Sequence, residues 1–244
     1  MIKAGKGIRR SDILVILAMA VFLLPFFIFP SVYEEYRKVN SSHGYLLAFV
    51  KFAVLATFGE CIGLRIRTGR YYQPGFGLIQ RALVWGFLGI SIKMAFVIFG
   101  EGAPYMLKTL GIAFPDPNPS NILRSPDFSA LKLLSAFAVG VTLNLFFAPV
   151  FMIFHRITDM HIIEHHGSLK GFFTPVRFGY QLTHLDWNSM WNFILKKTVP
   201  FFWIPAQTLN FLLPEEWRVL VAAMYSIILG VLLSVASLME EKRI

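Results

Sequence analysis

Ionisable side chains interrupt several long apolar stretches of the sequence, and these residues are the first candidates for chemistry. Lys51 and Glu60 lie in one stretch, and Arg81 and Lys93 lie in the next. In hydrocarbon a charged side chain costs free energy unless it is paired or hydrated, so by default it indicates function. Lys51 and Glu60 are separated by nine positions, which places them on opposite faces of a helix. These two residues therefore cannot pair with each other.

Glu60 and Arg81 fall at similar depth if their two stretches are consecutive antiparallel helices. Helices rise about 1.5 Å per residue, which places both side chains in the inner half of a membrane. An arginine side chain is long enough to bridge the remaining distance. We predict an ion pair between Glu60 and Arg81 that joins the two helices. Three roles are consistent with the sequence: a structural ion pair, a proton or ion relay through Glu60, or side chains that simply extend their charged ends to the membrane surface.

A second polar group is expected in the outer half of the bundle. Lys51 and Lys93 lie there, Gln207 and Asn210 share one helix face at i, i+3, and Arg218 opens the last apolar stretch. Facing a common interior, these amides and cations would line a water-filled path for anions or polar solutes. Alternatively, the lysines extend to the surface and the amides bond between helices or to backbone groups that prolines leave free. The candidate residues of the polar interior are Lys51, Glu60, Arg81, Lys93, Asn144, Gln207, Asn210 and Arg218.

A histidine-rich segment contains an H-x-x-E-H run formed by His161, Glu164 and His165. On a helix, His161 and His165 share one face at i, i+4, a spacing suited to zinc, and the run formally matches that of inverted zinc peptidases. Asp159 and His184 are the available third ligands. Such runs also arise by chance in interfacial helices, and a pH-sensitive surface is a further interpretation. We therefore assign no metal and no cofactor, and keep the three residues as weak candidates.

The composition places these residues in an integral membrane protein. Hydrophobic residues make up 56% of the 244 residues and charged residues only 15%, against roughly a quarter in soluble domains. The mean hydropathy is +0.60. Although the formal net charge is +9, the basic residues lie between apolar stretches and form no single stripe, which excludes a nucleic-acid partner. The single cysteine, Cys61, excludes an intramolecular disulfide.

Apolar stretches near the length of a membrane-spanning helix, about 20 residues, recur along the chain. We predict an all-α bundle of about six transmembrane helices that forms one domain, residues 1–244. Five spans are read directly: Ile13–Pro30 with a kink at Pro25, Tyr45–Leu64, Leu78–Gly100, Ala130–Phe154 and Trp217–Met239. The sixth, residues 191–213, contains Lys196, Lys197, Pro200 and Pro205, and is predicted to be kinked or re-entrant.

The distribution of basic residues orients this bundle, because short loops rich in lysine and arginine remain on the inner side of a membrane. With six crossings and both termini inside, the inner segments hold Lys3, Lys6, Arg9, Arg10, Arg65, Arg67, Arg70, Arg156, Lys170, Arg177, Lys242 and Arg243. The outer loops hold only Arg37, Lys38, Lys108 and Arg124. We predict location in the inner membrane of a bacterial cell, or in the mitochondrial inner or peroxisomal membrane of a eukaryote. The expected partners are the lipid bilayer, a small polar solute or ion, and further copies of the chain.

Several motifs follow one another in the same order as in the signature of a known protein family. A tryptophan and a proline precede a glutamine, followed by Asn-Phe, a proline and an arginine; here these are Trp203, Pro205, Gln207, Asn210, Phe211, Pro214 and Arg218. Upstream, residues 147–151 read Phe-Ala-Pro-Val-Phe and include Pro149. Gly59-Glu60 and Arg81 occupy the positions of a Gly-Asp pair and an arginine. The chain thus resembles the Mpv-seventeen and peroxisomal membrane protein family of small helical membrane proteins, as a divergent member.

This resemblance covers about residues 45–234. It implies that residues 45–239 form the family-like helical core and that residues 1–44 are an added N-terminal span and loop. It further implies a core of four spans that forms a weakly selective pore or solute pathway. The residues assigned structural roles are Pro149, Trp203, Pro205 and Pro214.

Three functions from different classes are consistent with the sequence. The first is a channel or pore-like membrane protein that gives small polar solutes or ions weakly selective passage. The second is a structural or lipid-organising protein whose polar residues only hold the bundle together. The third is a membrane metalloenzyme that uses the histidine-rich segment. The sequence contains no phosphate-binding glycine loop, nucleotide fingerprint or serine-nucleophile turn, so we predict no enzymatic activity and no ATP-driven transport.

Overall fold

The computed structural model describes residues 9–241, without the side chains of residues 22, 23, 27 and 232–241. This part of the chain is helical and contains no strand, which confirms the all-α prediction. Its α-helices are α1 Arg10–Ile28, α2 Pro30–Ser42, α3 Gly44–Thr68, α4 Leu78–Thr109, α5 Ala130–Thr142, α6 Ala148–Glu164, α7 Leu169–Phe172, α8 Phe178–Thr183, α9 Trp187–Ser189, α10 Ile204–Leu212 and α11 Glu215–Glu241. A 3-10 helix covers Pro119–Leu123, and π-helices cover Leu143–Phe147 and Met190–Trp203.

Three continuous helical stretches are long and apolar enough to cross a membrane: α3, α4, and the stretch Ala130–Glu164 that joins α5 to α6. A fourth candidate arises if α1 and α2, which meet at 85°, form one broken span. These candidates contain the predicted spans Tyr45–Leu64, Leu78–Gly100 and Ala130–Phe154 and most of Ile13–Pro30. The described chain is therefore compatible with an integral membrane protein.

The first predicted span is broken between α1 and α2. Pro25 lies inside α1, and the helix ends before Phe29, whose backbone is extended with φ −110° and ψ 104°. Pro30 is then the first residue of α2. A proline disfavours the helical conformation of the residue before it, whereas it fits the first helical position because no backbone N–H is needed there. Phe29-Pro30 thus sets the break between α1 and α2, and the kink predicted at Pro25 stays a prediction.

The predicted segment 191–213 lies in a continuous helical run from Trp187 to Leu212, in which a π-helix contains Pro200 and α10 begins just before Pro205. This run is not among the candidate spans found in the described residues. The predicted span Trp217–Met239 belongs to α11, but the side chains of residues 232–239 lie outside the described part. The terminal residues Lys3, Lys6, Lys242 and Arg243 lie outside it as well.

Glycines allow α3 and α4 to approach closely. A Cβ atom added at Gly89 would lie 2.6 Å from the carbonyl oxygen of Ala48 and 2.6 Å from the Cβ of Phe52. One added at Gly86 would lie 2.4 Å from the ring of Phe49. Small residues commonly permit such approach between membrane helices. This close contact sets the position of α3 relative to α4, and therefore the positions of the charged residues that these two helices carry.

We expect Gly89→Ala to destabilise the protein by about 1–3 kcal/mol, because the added methyl overpacks the contact between α3 and α4. Gly102→Ala in the same helix is the matched control, since no atom lies within 4 Å of the methyl it would add. The thermal unfolding midpoint of each purified variant in detergent checks this prediction. Equal midpoints for the two variants would contradict the close packing at Gly89.

Candidate functional site

Charged residues from three helices meet in one ion-pair cluster. Arg81 Nη1 of α4 lies 2.5 Å from Glu60 Oε2 of α3, so the predicted ion pair is present. The same nitrogen lies 2.7 Å from Asp159 Oδ1 of α6. Arg81 also donates from Nε to the carbonyl oxygen of Phe76 at 2.8 Å. The cluster therefore ties α3, α4 and α6 together, whereas the sequence predicted a link between two helices only.

Two further side chains complete the cluster. Trp85 donates from Nε1 to Glu60 Oε1 at 2.7 Å, and His155 Nε2 lies 3.5 Å from the same oxygen and 3.9 Å from Asp159 Oδ1. The imidazole of His155 packs on the Trp85 indole with ring centroids 4.4 Å apart. Trp85 follows Arg81 by four residues on α4, and Asp159 follows His155 by four residues on α6. Each helix thus presents its two side chains on one face.

The cluster is largely withdrawn from solvent. The exposed fractions of the side chains are 10% for Arg81, 14% for Asp159 and 19% for both Glu60 and His155. Two carboxylates face one guanidinium, so a protonated His155 would bring the formal charge of the cluster to zero. Buried charges of this kind are tolerated only when they are paired.

The cluster lines a cavity of about 850 Å³, whose wall extends from Arg67 near the end of α3 to Phe96 of α4. This volume is within the range of about 300–1,000 Å³ that is typical of ligand pockets. Away from the cluster the wall is mainly aromatic and aliphatic, formed by residues that include Phe52, Ile92, Phe96, Leu143, Phe147 and Trp203. Gln207 and Asn144 are among the few polar side chains in this part.

The structure brings the predicted amides close to this cavity. Gln207 accepts a hydrogen bond at 3.1 Å from Nδ2 of the fully buried Asn210, and Asn144 donates to the carbonyl oxygen of Gly140 at 2.8 Å. Asn210 Oδ1 makes no hydrogen bond with the described residues. These hydrogen bonds lie within single helical stretches, so the predicted bonding of the amides between helices, or to carbonyls freed by proline, is not seen among them.

The two lysines do not line this cavity, and the expectation that they share it with the amides is wrong. Lys51 donates from Nζ to Asn40 Oδ1 at 2.8 Å and lies 4.8 Å from the centre of the Tyr36 ring. Lys93 Nζ lies 3.4 Å from Glu215 Oε1. The reason is α2, which was predicted as part of a loop but forms a helix and supplies the partners of Lys51.

Arg218 closes the opposite end of the bundle. Its Nη2 donates to the carbonyl oxygen of Leu123 at 2.8 Å, and its guanidinium lies 4.9 Å from the centre of the Phe211 ring. Beside it is a small pocket of about 60 Å³ that Lys93 and Phe96 help to line. Phe96 therefore borders both the large cavity and the small pocket. Its ring packs edge-to-face on Phe211 at 5.2 Å.

The residues predicted as structural lie next to breaks in regular helix geometry or in the cavity wall. Pro149 and Pro205 closely follow π-helices inside continuous helical stretches, where each proline removes one backbone N–H donor. Pro214 directly precedes α11. Trp203 lines the cavity.

The weak metal candidates His161, Glu164 and His165 present ligand atoms within 4.8 Å of one another, but all three side chains have protein partners. His161 Nε2 lies 3.2 Å from the carbonyl oxygen of Phe172, and His165 Nε2 lies 3.1 Å from Thr174 Oγ1. The carboxylate of Glu164 binds Arg177 and Gln181. A second group with the same spread is Glu60, His155 and Asp159. There Arg81 Nη1 bonds to both carboxylates.

Sequence reasoning missed Asp159, His155 and Trp85 as members of the cluster. The available signal was the spacing of four residues that relates Trp85 to Arg81 and Asp159 to His155. No family model, curated protein or solved structure matches this chain significantly. The resemblance to the Mpv-seventeen family therefore stays a prediction.

Proposed function

We propose that this protein is a channel or pore-like membrane protein with six spans, which gives small solutes weakly selective passage. The observation that carries the proposal is the interior cavity, whose wall includes the charged cluster and which shares Phe96 with the pocket beside Arg218. In this proposal the cavity and the pocket are two vestibules of one path, and Phe96 with Phe211 is the constriction. Apolar constrictions close pores by excluding water.

Contacts between helices support six crossings. Gly140 of α5 faces Ile204 at the start of α10, so α10 runs along α5, and Phe211 near the end of α10 touches Gly100 of α4. Glu215, at the start of α11, pairs with Lys93, while Ile227 of the same helix lies against Gly59. Helix α11 therefore extends along α3, from near the first residue of α3 to the inner half of α3.

Contacts at the start of α1 support the placement of both termini on one side. Asp12 pairs with Arg65 at 2.6 Å, so α1 starts where α3 ends. Helix α11 approaches the same end of α3 as it proceeds beyond Ile227. The surplus of basic residues on this side then makes it the inner, cytoplasmic side.

Cysteine accessibility tests the sixth crossing directly. In a Cys61→Ser background, we expect Asn188→Cys to react with a membrane-impermeant maleimide only from the inner side and Glu215→Cys only from the outer side. Asn188 lies near the start of the helical run from Trp187 to Leu212, and Glu215 lies just beyond the end of this run. Reaction of both cysteines from the same side would contradict the crossing of residues 191–213.

Permeability measurements test the proposed function. Liposomes that contain the purified protein should release uncharged polar solutes, such as glycerol, faster than protein-free liposomes and liposomes with an unrelated helical membrane protein. A graded series of solutes would define the size limit of the path. Unchanged permeability for every solute and ion would overturn the proposal.

A second candidate is a structural or lipid-organising protein without transport. It is favoured by Lys51, which lines neither the cavity nor the pocket and bonds to Asn40, and by the bond of Arg218 to Leu123. The permeability assay separates the two candidates, because only the channel predicts faster release.

A further inference from the structure

We infer that the large cavity binds a single-chain amphipathic anion, with its carboxylate at the inner mouth beside Arg67 and Arg156 and its apolar chain directed toward Phe96. Because it names the solute class of the same path, this inference rests on the proposed function. Its support is the separation of charged and apolar side chains along the cavity.

The charged side chains of the cavity wall are confined to one end. They are Glu60, Arg67, Arg81, Arg156, Asp159 and Asp186. Along α4, the cluster at Arg81 and the constriction at Phe96 are 15 residues apart, which corresponds to about 22 Å of helix. A binding space with a polar end and a long apolar remainder suits an extended chain with one charged head better than a compact polar solute.

The charge of the ligand's head group follows from which charged residues of the cavity wall already have partners. Arg81 is shared by Glu60 and Asp159, with the imidazole of His155 beside both carboxylates. Glu60, Arg81 and Asp159 are therefore occupied with one another. His155 Nε2 lies beside both carboxylates but makes no hydrogen bond with the described residues.

Asp186 is likewise engaged, because it accepts hydrogen bonds from the hydroxyl and the backbone N–H of Ser189. These bonds, with a smaller effect of the nearby Arg156, lower the pKa of Asp186. Arg67 and Arg156 are exposed at the mouth, and neither has a hydrogen bond or an ion pair within 4 Å among the described residues. The side chains free to bind a charged head are thus two guanidiniums, which pair well with carboxylates.

The test is displacement of the fluorescent probe 11-(dansylamino)undecanoate from the full-length protein in nanodiscs of neutral lipid. We expect laurate to displace the probe, and dodecanol and dodecylammonium to do so at least about tenfold more weakly, because they lack the anionic head. Acetate should also be weak, because it lacks the chain. Displacement by dodecylammonium or dodecanol as effective as by laurate would overturn the inference.

Variants separate the two ends of the site. The double variant Arg67→Gln/Arg156→Gln should weaken probe binding at least about tenfold through loss of both guanidiniums. Arg70→Gln is the matched control, because Arg70 is an exposed arginine near Arg67 that does not line the cavity. Ser226→Phe, which adds a ring to the cavity wall at the depth of Gly59, should obstruct the apolar chain and weaken binding without changing the charge of the wall. Unchanged binding in the double variant would refute the assigned head position.

Failure of this inference is distinguishable from failure of the proposed function. Release of glycerol from liposomes without specific binding of the probe would leave the channel in place and remove the amphipathic anion. Binding of the probe without any increase in permeability would keep the anion site and remove the channel.

Discussion

Phe96→Ala is expected to increase the release of small polar solutes from liposomes on the order of tenfold, because it removes one ring of the apolar constriction. Phe96 borders both the large cavity and the outer pocket and packs on Phe211. Without its ring, the two spaces would join beside Phe211. Phe96→Trp, which keeps an aromatic ring of larger size at this position, should leave the path closed.

The matched control is Ile98→Ala, two residues further along α4, because the side chain of Ile98 is 61% exposed and faces away from the constriction. Truncating a buried phenylalanine also costs about 3–5 kcal/mol of stability, so elution as a single species must be verified for each variant. Equal release from the folded Phe96→Ala and Ile98→Ala proteins would exclude Phe96 as the barrier.

Arg81→Met is expected to destabilise the protein by about 3–5 kcal/mol, because it leaves Glu60 and Asp159 buried without their shared cation. Thermal unfolding in detergent measures the effect. The control is Arg37→Met, which removes an exposed arginine 3.8 Å from Glu216 and should cost about 1 kcal/mol or less.

A compensating variant distinguishes loss of charge pairing from loss of packing. Combining Arg81→Met with Glu60→Gln and Asp159→Asn should recover part of the lost stability, because no unpaired charge then remains in the cluster. A triple variant as unstable as or less stable than Arg81→Met alone would show that the guanidinium acts through packing and its bond to Phe76.

The ion pair between Glu60 and Arg81 was predictable because α3 and α4 are consecutive, and depth along two antiparallel helices follows from residue counting. Asp159 was not predictable in the same way. It comes from α6, and nothing in its sequence spacing says which earlier helix α6 packs against. The spacing of Trp85 and His155 was visible, but its meaning depended on that same packing.

The surroundings of Lys51 show a second limit of the sequence. Its position in the apolar stretch could be predicted, but its partners lie on α2, which meets α1 at 85°. The depth of a residue follows from its position in one helix, whereas a shared cavity depends on how several helices pack. Gln207 and Asn144 line the large cavity and Lys93 lines the small pocket, whereas Lys51 lines neither.

The sharing of Arg81 by two carboxylates also governs how this sequence can diverge. Loss of either Glu60 or Asp159 leaves one carboxylate opposite one guanidinium, a balanced pair. Loss of Arg81 leaves two carboxylates with only His155 beside them. Relatives of this chain should therefore vary at Glu60 or Asp159 before they vary at Arg81, and a change at Arg81 should be accompanied by neutral residues at both other positions.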